Sequence, residues 1–215
     1  MSFITMDELI PKLIKASNDN RIIVAIVGPP ASGKTTYSHD LCRNLNELEN
    51  GICAVLSADG FHYDDLYLNQ KGWRDRKGAP HTFDAVGLFH ILKRLKLNAE
   101  EQIAIPIFDR KIEISRGAAA VISDAVKIVI IEGNYLLLKE HPWTKLKKII
   151  DFSLMLHVSE ETLIERLEKR WRGFGYSDKK VQLKLDANDM LNVKMVLENS
   201  VAANFNVNNE SELER

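Results

Sequence analysis

Cysteine is nearly absent: the 215 residues include two, Cys42 and Cys53. Two thiols exclude a disulfide framework and a paired C-x-x-C metal site; they read as small buried hydrophobes in a reducing compartment. No apolar run reaches the roughly 18 residues that a bilayer-spanning helix needs. With 29 basic and 30 acidic residues the formal net charge is −1, so neither a nucleic-acid partner nor a membrane partner is expected. Internal repeats and low-complexity linkers are missing too. The opening stretch MSFITMDELIPKLIKASNDN has early acidic residues and no secretory-type apolar core, which predicts a cytoplasmic protein. What remains is an ordinary globular composition, sized for one α/β domain over residues 1–215, as a monomer or a homodimer.

What is there is an alternation. Residues 6–17 place Leu9, Ile10, Leu13 and Ile14 on one face of a short amphipathic helix. Apolar runs at 22–27, 52–57, 103–108, 127–132 and 153–158 then alternate with helical segments near 34–48, 84–97 and 159–170. Several runs are almost continuous in Val and Ile, as in parallel strands covered on both faces. The pattern predicts a doubly wound, mainly parallel five-stranded sheet with helices on both faces. The last segment, SVAANFNVNNESELER, predicts one further short strand and an acidic, frayed tail. Ligands of such sheets bind at the carboxyl ends of the strands, so the residues after each run are the ones to inspect.

After the first run comes Gly28-Pro29-Pro30-Ala31-Ser32-Gly33-Lys34-Thr35, which fits G-x-x-x-x-G-K-[ST] at every fixed position. Glycines let successive backbone N–H groups turn inward, and the following helix adds its positive N-terminal end. The backbone of 28–36, including Thr36, forms the expected nucleotide cradle. Lys34 is expected on the β/γ-phosphates and the Thr35 hydroxyl on Mg²⁺. No Asn-Lys-x-Asp string for reading guanine occurs, which favours ATP. The motif in this strand–helix context predicts the P-loop NTPase fold and leaves open where the phosphate goes.

The second run ends in Asp59-Gly60-Phe61-His62. Phosphoryl transfer to a hydroxyl needs an acceptor for the departing proton, and Asp59 is the candidate base. A turn aspartate before a glycine accounts for the same pair. Next, KGWRDRKGAPHTFD crowds Lys71, Arg74, Arg76 and Lys77 among glycines, as a solvated loop or as a basic lid over an acceptor with Trp73 and Phe61 as apolar walls. Asp84 is read as the cap of the following helix. The third run ends in Pro106, Phe108, Asp109 and Arg110; the last two suit a polyhydroxylated acceptor, one accepting and one donating hydrogen bonds, or pair with each other. The fourth run ends in Glu132-Gly133-Asn134, and a glutamate ending an apolar strand needs a partner such as a metal. Ser159 opens a helix carrying Arg166, Arg170 and Arg172 before a Gly-Phe-Gly break. These arginines read as a triphosphate lid at about 165–180, or as a solvated helix face. Asn188 and Asn192 follow, with no role that the sequence ranks.

A phosphate loop, then Asp59-Gly60-Phe61, then Lys77-Gly78-x-Pro80-x-x-Phe83-Asp84 resembles the uridine kinase, phosphoribulokinase and pantothenate kinase group of P-loop kinases, including its fructokinase-like and nucleoside/nucleotide kinase-like bacterial members. The tract 59–84 is most similar to the pantothenate kinase pattern Asp-Gly-Phe followed by Lys-Gly-Phe-Pro-x-x-Tyr-Asp. The resemblance covers roughly residues 20–200. It implies that Asp59 is the catalytic carboxylate, that Lys77 lies by the active site, that Glu132 orients Mg²⁺, and that Arg166, Arg170 and Arg172 close on ATP, with Lys34 and Arg170 acting on the transferred phosphoryl group. Uridine kinases place a basic residue about six positions after Pro-x-Tyr-Asp. Here Arg116 is the nearest match, one residue further on, and Glu113 stands where that family has histidine. The expected substrate-binding set is Asp59, Phe61, His62, Lys77, Asp109, Arg110 and Arg116. The expected function is ATP- and Mg²⁺-dependent phosphorylation of a small-molecule hydroxyl, with a sugar or polyol ahead of a nucleoside or pantothenate. A regulatory P-loop ATPase, or a nucleotide-binding module without turnover, is the rival from another class.

Overall fold

A computed structural model describes residues 3–210. Its centre is a parallel sheet in the order β2-β5-β1-β6-β7, formed by β1 (Ile22–Val27), β2 (Cys53–Ser57), β5 (Ile128–Gly133), β6 (Phe152–His157) and β7 (Phe205–Asn208). Every residue of β1 and β5 is buried, as two-sided covering demands of such apolar strands. On one face Val24, Ile26 and Ile130 meet Leu9 and Leu13 of α1 (Met6–Ala16) and Leu41 and Leu45 of α2 (Lys34–Leu48). On the other, Ile23, Ala25 and Val129 meet Leu88, Leu92 and Leu95 of α4 (Ala85–Leu97). The expected doubly wound α/β sheet is therefore present.

Local chemistry sets the helix starts. Thr5 and Glu8 form a reciprocal capping box on α1. Asp84 accepts from the Gly87 N–H at 2.8 Å, so it caps α4 as expected. Ser159 caps α5 (Glu160–Gly173) through the Thr162 N–H. Glu210 then ties the chain's return to that cap, accepting from the Ser159 N–H at 2.8 Å. The rest of the expected acidic tail, residues 211–215, lies outside the described residues.

One strand assignment needs correcting. The run at 103–108 is not in the central sheet. It belongs to β3 (Gln102–Asp109), which pairs antiparallel with β4 (Ile114–Ser123) as a separate hairpin, and β7 takes the fifth place in the sheet. Pro106 explains this: it has no N–H for a central ladder, and the β3–β4 register shifts between Ile105 and Ile107. Strand β4 has no counterpart in the sequence reading, because its Arg116-Gly117-Ala118-Ala119-Ala120 stretch carries no apolar alternation.

After α5 come α6 (Asp178–Lys184), a single π turn at Leu185–Asp189, and α7 (Met190–Asn199). Leu163, Leu167, Val181, Leu185 and Val193 hold these helices together, and Ala31 of the phosphate loop packs against them. A short helix α3 (Asp65–Lys71) precedes the basic loop. Among the described residues no helix is long and apolar enough to cross a membrane.

Candidate active site

The parallel register brings three strand ends together. Val27 aligns with Gly133, and Ser57 with Glu132. The phosphate loop, Glu132 and Asp59 are therefore neighbours, with β5 between β1 and β2. Gly33 adopts a φ of 83° and Ala31 a φ of 64°; these left-handed turns curl the loop round the N-terminus of α2, where unpaired N–H groups favour an anion. Lys34 is buried, and its ammonium donates to the Pro29 carbonyl at 2.8 Å. Burial pushes its pKa down to about 8, against the pull of Glu132 and Asp59. Arg166 donates to the Ala31 carbonyl at 3.3 Å and to the Glu210 carbonyl at 3.0 Å, tying the loop to α5 and the chain's end. The cavity in front of the loop has a volume of about 300 Å³; Thr35, Thr36, Glu132, Asn134 and Arg170 help to line it.

Asp59 also lines that cavity. Burial works against its charge, but His62, Arg110 and Lys34 prevail and hold its pKa below the usual carboxylate value. Arg110 reaches it from the β3 end at 2.6 Å. That approach depends on Gly60, where a Cβ would lie 2.6 Å from the Pro106 carbonyl oxygen. Ser115 also donates to the Gly60 carbonyl, so the hairpin is fastened at two points. Glu132 shows the opposite shift: burial and the Asp59 charge raise its pKa, while Ser57 donates to it.

A second cavity of about 410 Å³ opens from the first, sharing Thr35, Asp59, Arg110, Asn134 and Arg170. One wall is aromatic: His62 lies 3.9 Å from the Phe83 ring centre and 4.9 Å from that of Phe108. Lys77 forms another part, donating to Asp65 and to the Glu113 carbonyl, each at 2.6 Å. Trp171 and Phe174 come from the end of α5, and Asn188, Asp189 and Asn192 from the π turn and α7. A carboxylate between a phosphate-binding loop and an adjoining small-molecule cavity is the arrangement that phosphoryl transfer to an alcohol requires.

Residues 24–191 match the family model described as an AAA domain. The chain is 29% identical to "Putative uridine kinase C227.14" of Schizosaccharomyces pombe over 91% of its own length and 86% of that protein. It is 28% identical to a pantothenate kinase of Coxiella burnetii over 70% of its length, spanning half of that enzyme. A crystal structure from Silicibacter sp. TM1040, named "putative fructose transport system kinase", superposes with a TM-score of 0.86 at 32% identity, covering 94% of this chain and 98% of the other. The chain belongs to the AAA-domain family, among its P-loop kinases.

In this P-loop kinase most of the expected residues come together. Ala31, Gly33, Lys34, Thr35, Thr36, Asp59, Glu132, Arg166 and Arg170 border the first cavity, and His62, Lys77 and Arg110 join Asp59 and Arg170 in the second. Gly28, Pro29 and Ser32 belong to the loop but border neither cavity: Ser32 is fully buried, and a Cβ on Gly28 would meet its hydroxyl at 2.5 Å. Four other expected site residues border neither cavity. Phe61 is turned into the core. Asp109 and Arg116 pair with each other at 3.1 Å on the exposed hairpin. Arg172 pairs with Glu168 and Asp178 at the surface; two residues beyond Arg170, it is turned about 200° round the helix axis. Trp73, read as an apolar wall, instead packs its ring edge-on against His81. In the basic loop Arg74 and Lys77 border the second cavity, Lys71 lies over the Tyr67 ring, and Arg76 donates to the Ala187 carbonyl at 2.5 Å.

The missed residues are Asn134, Trp171, Phe174 and Asp189. Asn134 had a usable signal, since it follows Glu132-Gly133 at a strand end. The others had none, because helices distant in sequence bring them in. As to a metal, the buried Glu132 carboxylate, whose pKa burial and the Asp59 charge raise, with the Thr35 hydroxyl on the same cavity, suits a divalent cation. Among the described residues no three of His, Cys, Asp and Glu gather into a cage. That suits a cation held by one or two protein groups and by substrate phosphates.

Proposed function

We propose that this P-loop kinase is an ATP- and Mg²⁺-dependent phosphotransferase whose acceptor is a hydroxyl of a sugar or polyol. The observation that carries the reading is Asp59: a half-buried, ionised carboxylate held by Arg110 where the two cavities meet. Lys34, the loop N–H groups and the arginines of α5 hold the triphosphate. Thr35 and Glu132 would hold Mg²⁺, which when bound neutralises charge on the phosphates. Asp59 accepts the proton of the attacking hydroxyl, and Arg110 keeps it ionised until that step. Arg170 lies next to both cavities; its guanidinium feels the charges of Asp189 and Asp59, makes no hydrogen bond among the described residues, and is placed to meet charge on the transferred group. The segment from about 165 to 180 acts as a lid whose closure removes water, the competing acceptor. A nucleoside is the second reading, favoured by the rings of His62, Phe83, Phe108 and Trp171, which offer faces to a base.

ADP release from ATP·Mg²⁺ tests this, with wild type and Asp59→Asn run against hexoses, pentoses, polyols, glycerate, nucleosides and pantothenate. One acceptor should raise wild-type turnover many-fold, and Asp59→Asn should lose roughly 10²–10⁴-fold of it. Unstimulated ADP release that survives Asp59→Asn would point instead to a regulatory ATPase.

A further inference from the structure

The π turn at Leu185–Asp189 is the least expected feature beside the second cavity. Such turns interrupt α-helices at a cost in hydrogen-bond geometry and are frequent at functional sites. This one carries Asn188 and Asp189 to the cavity side together, although adjacent residues of an α-helix diverge by about 100°. Asn188 is held at both ends of its amide: the NH₂ donates to the Lys77 carbonyl at 3.1 Å, and the oxygen accepts from Asn192 at 3.3 Å. Asp189 is not. It is 8% exposed, and one carboxylate oxygen accepts from the Trp171 indole N–H at 2.7 Å. Among the described residues the other oxygen has no hydrogen-bond partner, and the side chain borders the cavity.

Besides that indole bond, Arg170, Lys184 and Arg76 act on the buried carboxylate through their charges, and none of them hydrogen-bonds to it; a neutral amide would accept the same indole bond without the desolvation cost. We propose that Asp189 is a substrate-binding residue, and that its open oxygen accepts a hydrogen bond from a second hydroxyl of the acceptor, remote from the one phosphorylated. A carboxylate only accepts, so the ligand must supply the donor, which on a sugar or polyol is an O–H. The acceptor is then gripped at two hydroxyls, one at Asp59 and one at Asp189, which requires a polyhydroxylated molecule. The proposal rests on reading this cavity as the acceptor's.

Calorimetric titration of the full chain, with Mg²⁺ and a non-hydrolysable ATP analogue present, tests it. The probes are fructose, ribitol, mannitol and uridine with their single-deoxy analogues; the proteins are wild type and Asp189→Asn. Asparagine keeps the shape and an oxygen for Trp171, and melting curves check that the variant is folded. For the probe that binds wild type, Asp189→Asn should weaken binding about tenfold or more, the scale of a lost charged hydrogen bond. One deoxy analogue should bind wild type about tenfold less tightly than its parent, and Asp189→Asn should erase that difference. Unchanged affinity in Asp189→Asn would overturn the proposal. So would deoxy discrimination that survives Asp189→Asn, or a wild type that binds none of the probes. Discriminating binding without stimulated ADP release would keep the subsite and defeat the kinase reading alone.

Discussion

Lys34 offers a test of the nucleotide site that needs no acceptor. Burial sets its pKa at about 8 in the free protein, below the ordinary lysine value. The ammonium must be charged to bind phosphate oxygens. With a pKa near 8, about nine-tenths of the free protein is competent at pH 7 and about one-tenth at pH 9. Phosphate charge in the complex restores the pKa upward, so binding takes up a proton across this window. Affinity for ATP·Mg²⁺ should therefore be flat below pH 7 and fall about tenfold between pH 7 and pH 9, roughly 1.4 kcal/mol. Titration calorimetry in two buffers of different ionisation enthalpy gives both the affinity and the proton count. Uptake should approach one proton at pH 9 and vanish near pH 6.5. Lys34→Ala should bind weakly with no pH slope from 7 to 9. A flat wild-type profile, or a slope that persists in Lys34→Ala, would refute the assignment.

Three further outcomes follow from the geometry. Arg110→Ala removes a cation that lowers the Asp59 pKa; since the base must be ionised, the acidic limb of kcat/KM should move to higher pH, and an unmoved limb would separate Arg110 from Asp59. Gly60→Ala puts a Cβ 2.6 Å from the Pro106 carbonyl oxygen; it should cost about 2 kcal/mol in urea unfolding and raise the KM for the acceptor, because the hairpin carrying Arg110 must shift. Arg172→Ala should leave turnover within about twofold, because its partners Glu168 and Asp178 are at the surface, whereas Arg170→Ala should lower kcat at least tenfold.

The sequence alone determined what depends on neighbours along the chain. Walker-type spacing located Lys34 and Thr35. Unbroken Val/Ile runs gave β1 and β5, and Asp84 and Ser159 marked helix starts, because capping and two-sided burial are local demands. Asp59 and Glu132 were legible as carboxylates at strand ends. Strand partnership was not, because it is set by long-range packing: Pro106 barred β3 from the central sheet, and four residues near the chain's end filled the place. Only the tertiary structure could turn Phe61 into the core, send Arg172 to the surface, set Arg110 on Asp59, and bring a π turn more than a hundred residues away against the same cavity. Spacing fixes which residues share a face of one element; which face meets which depends on how all of them bury their apolar surfaces at once.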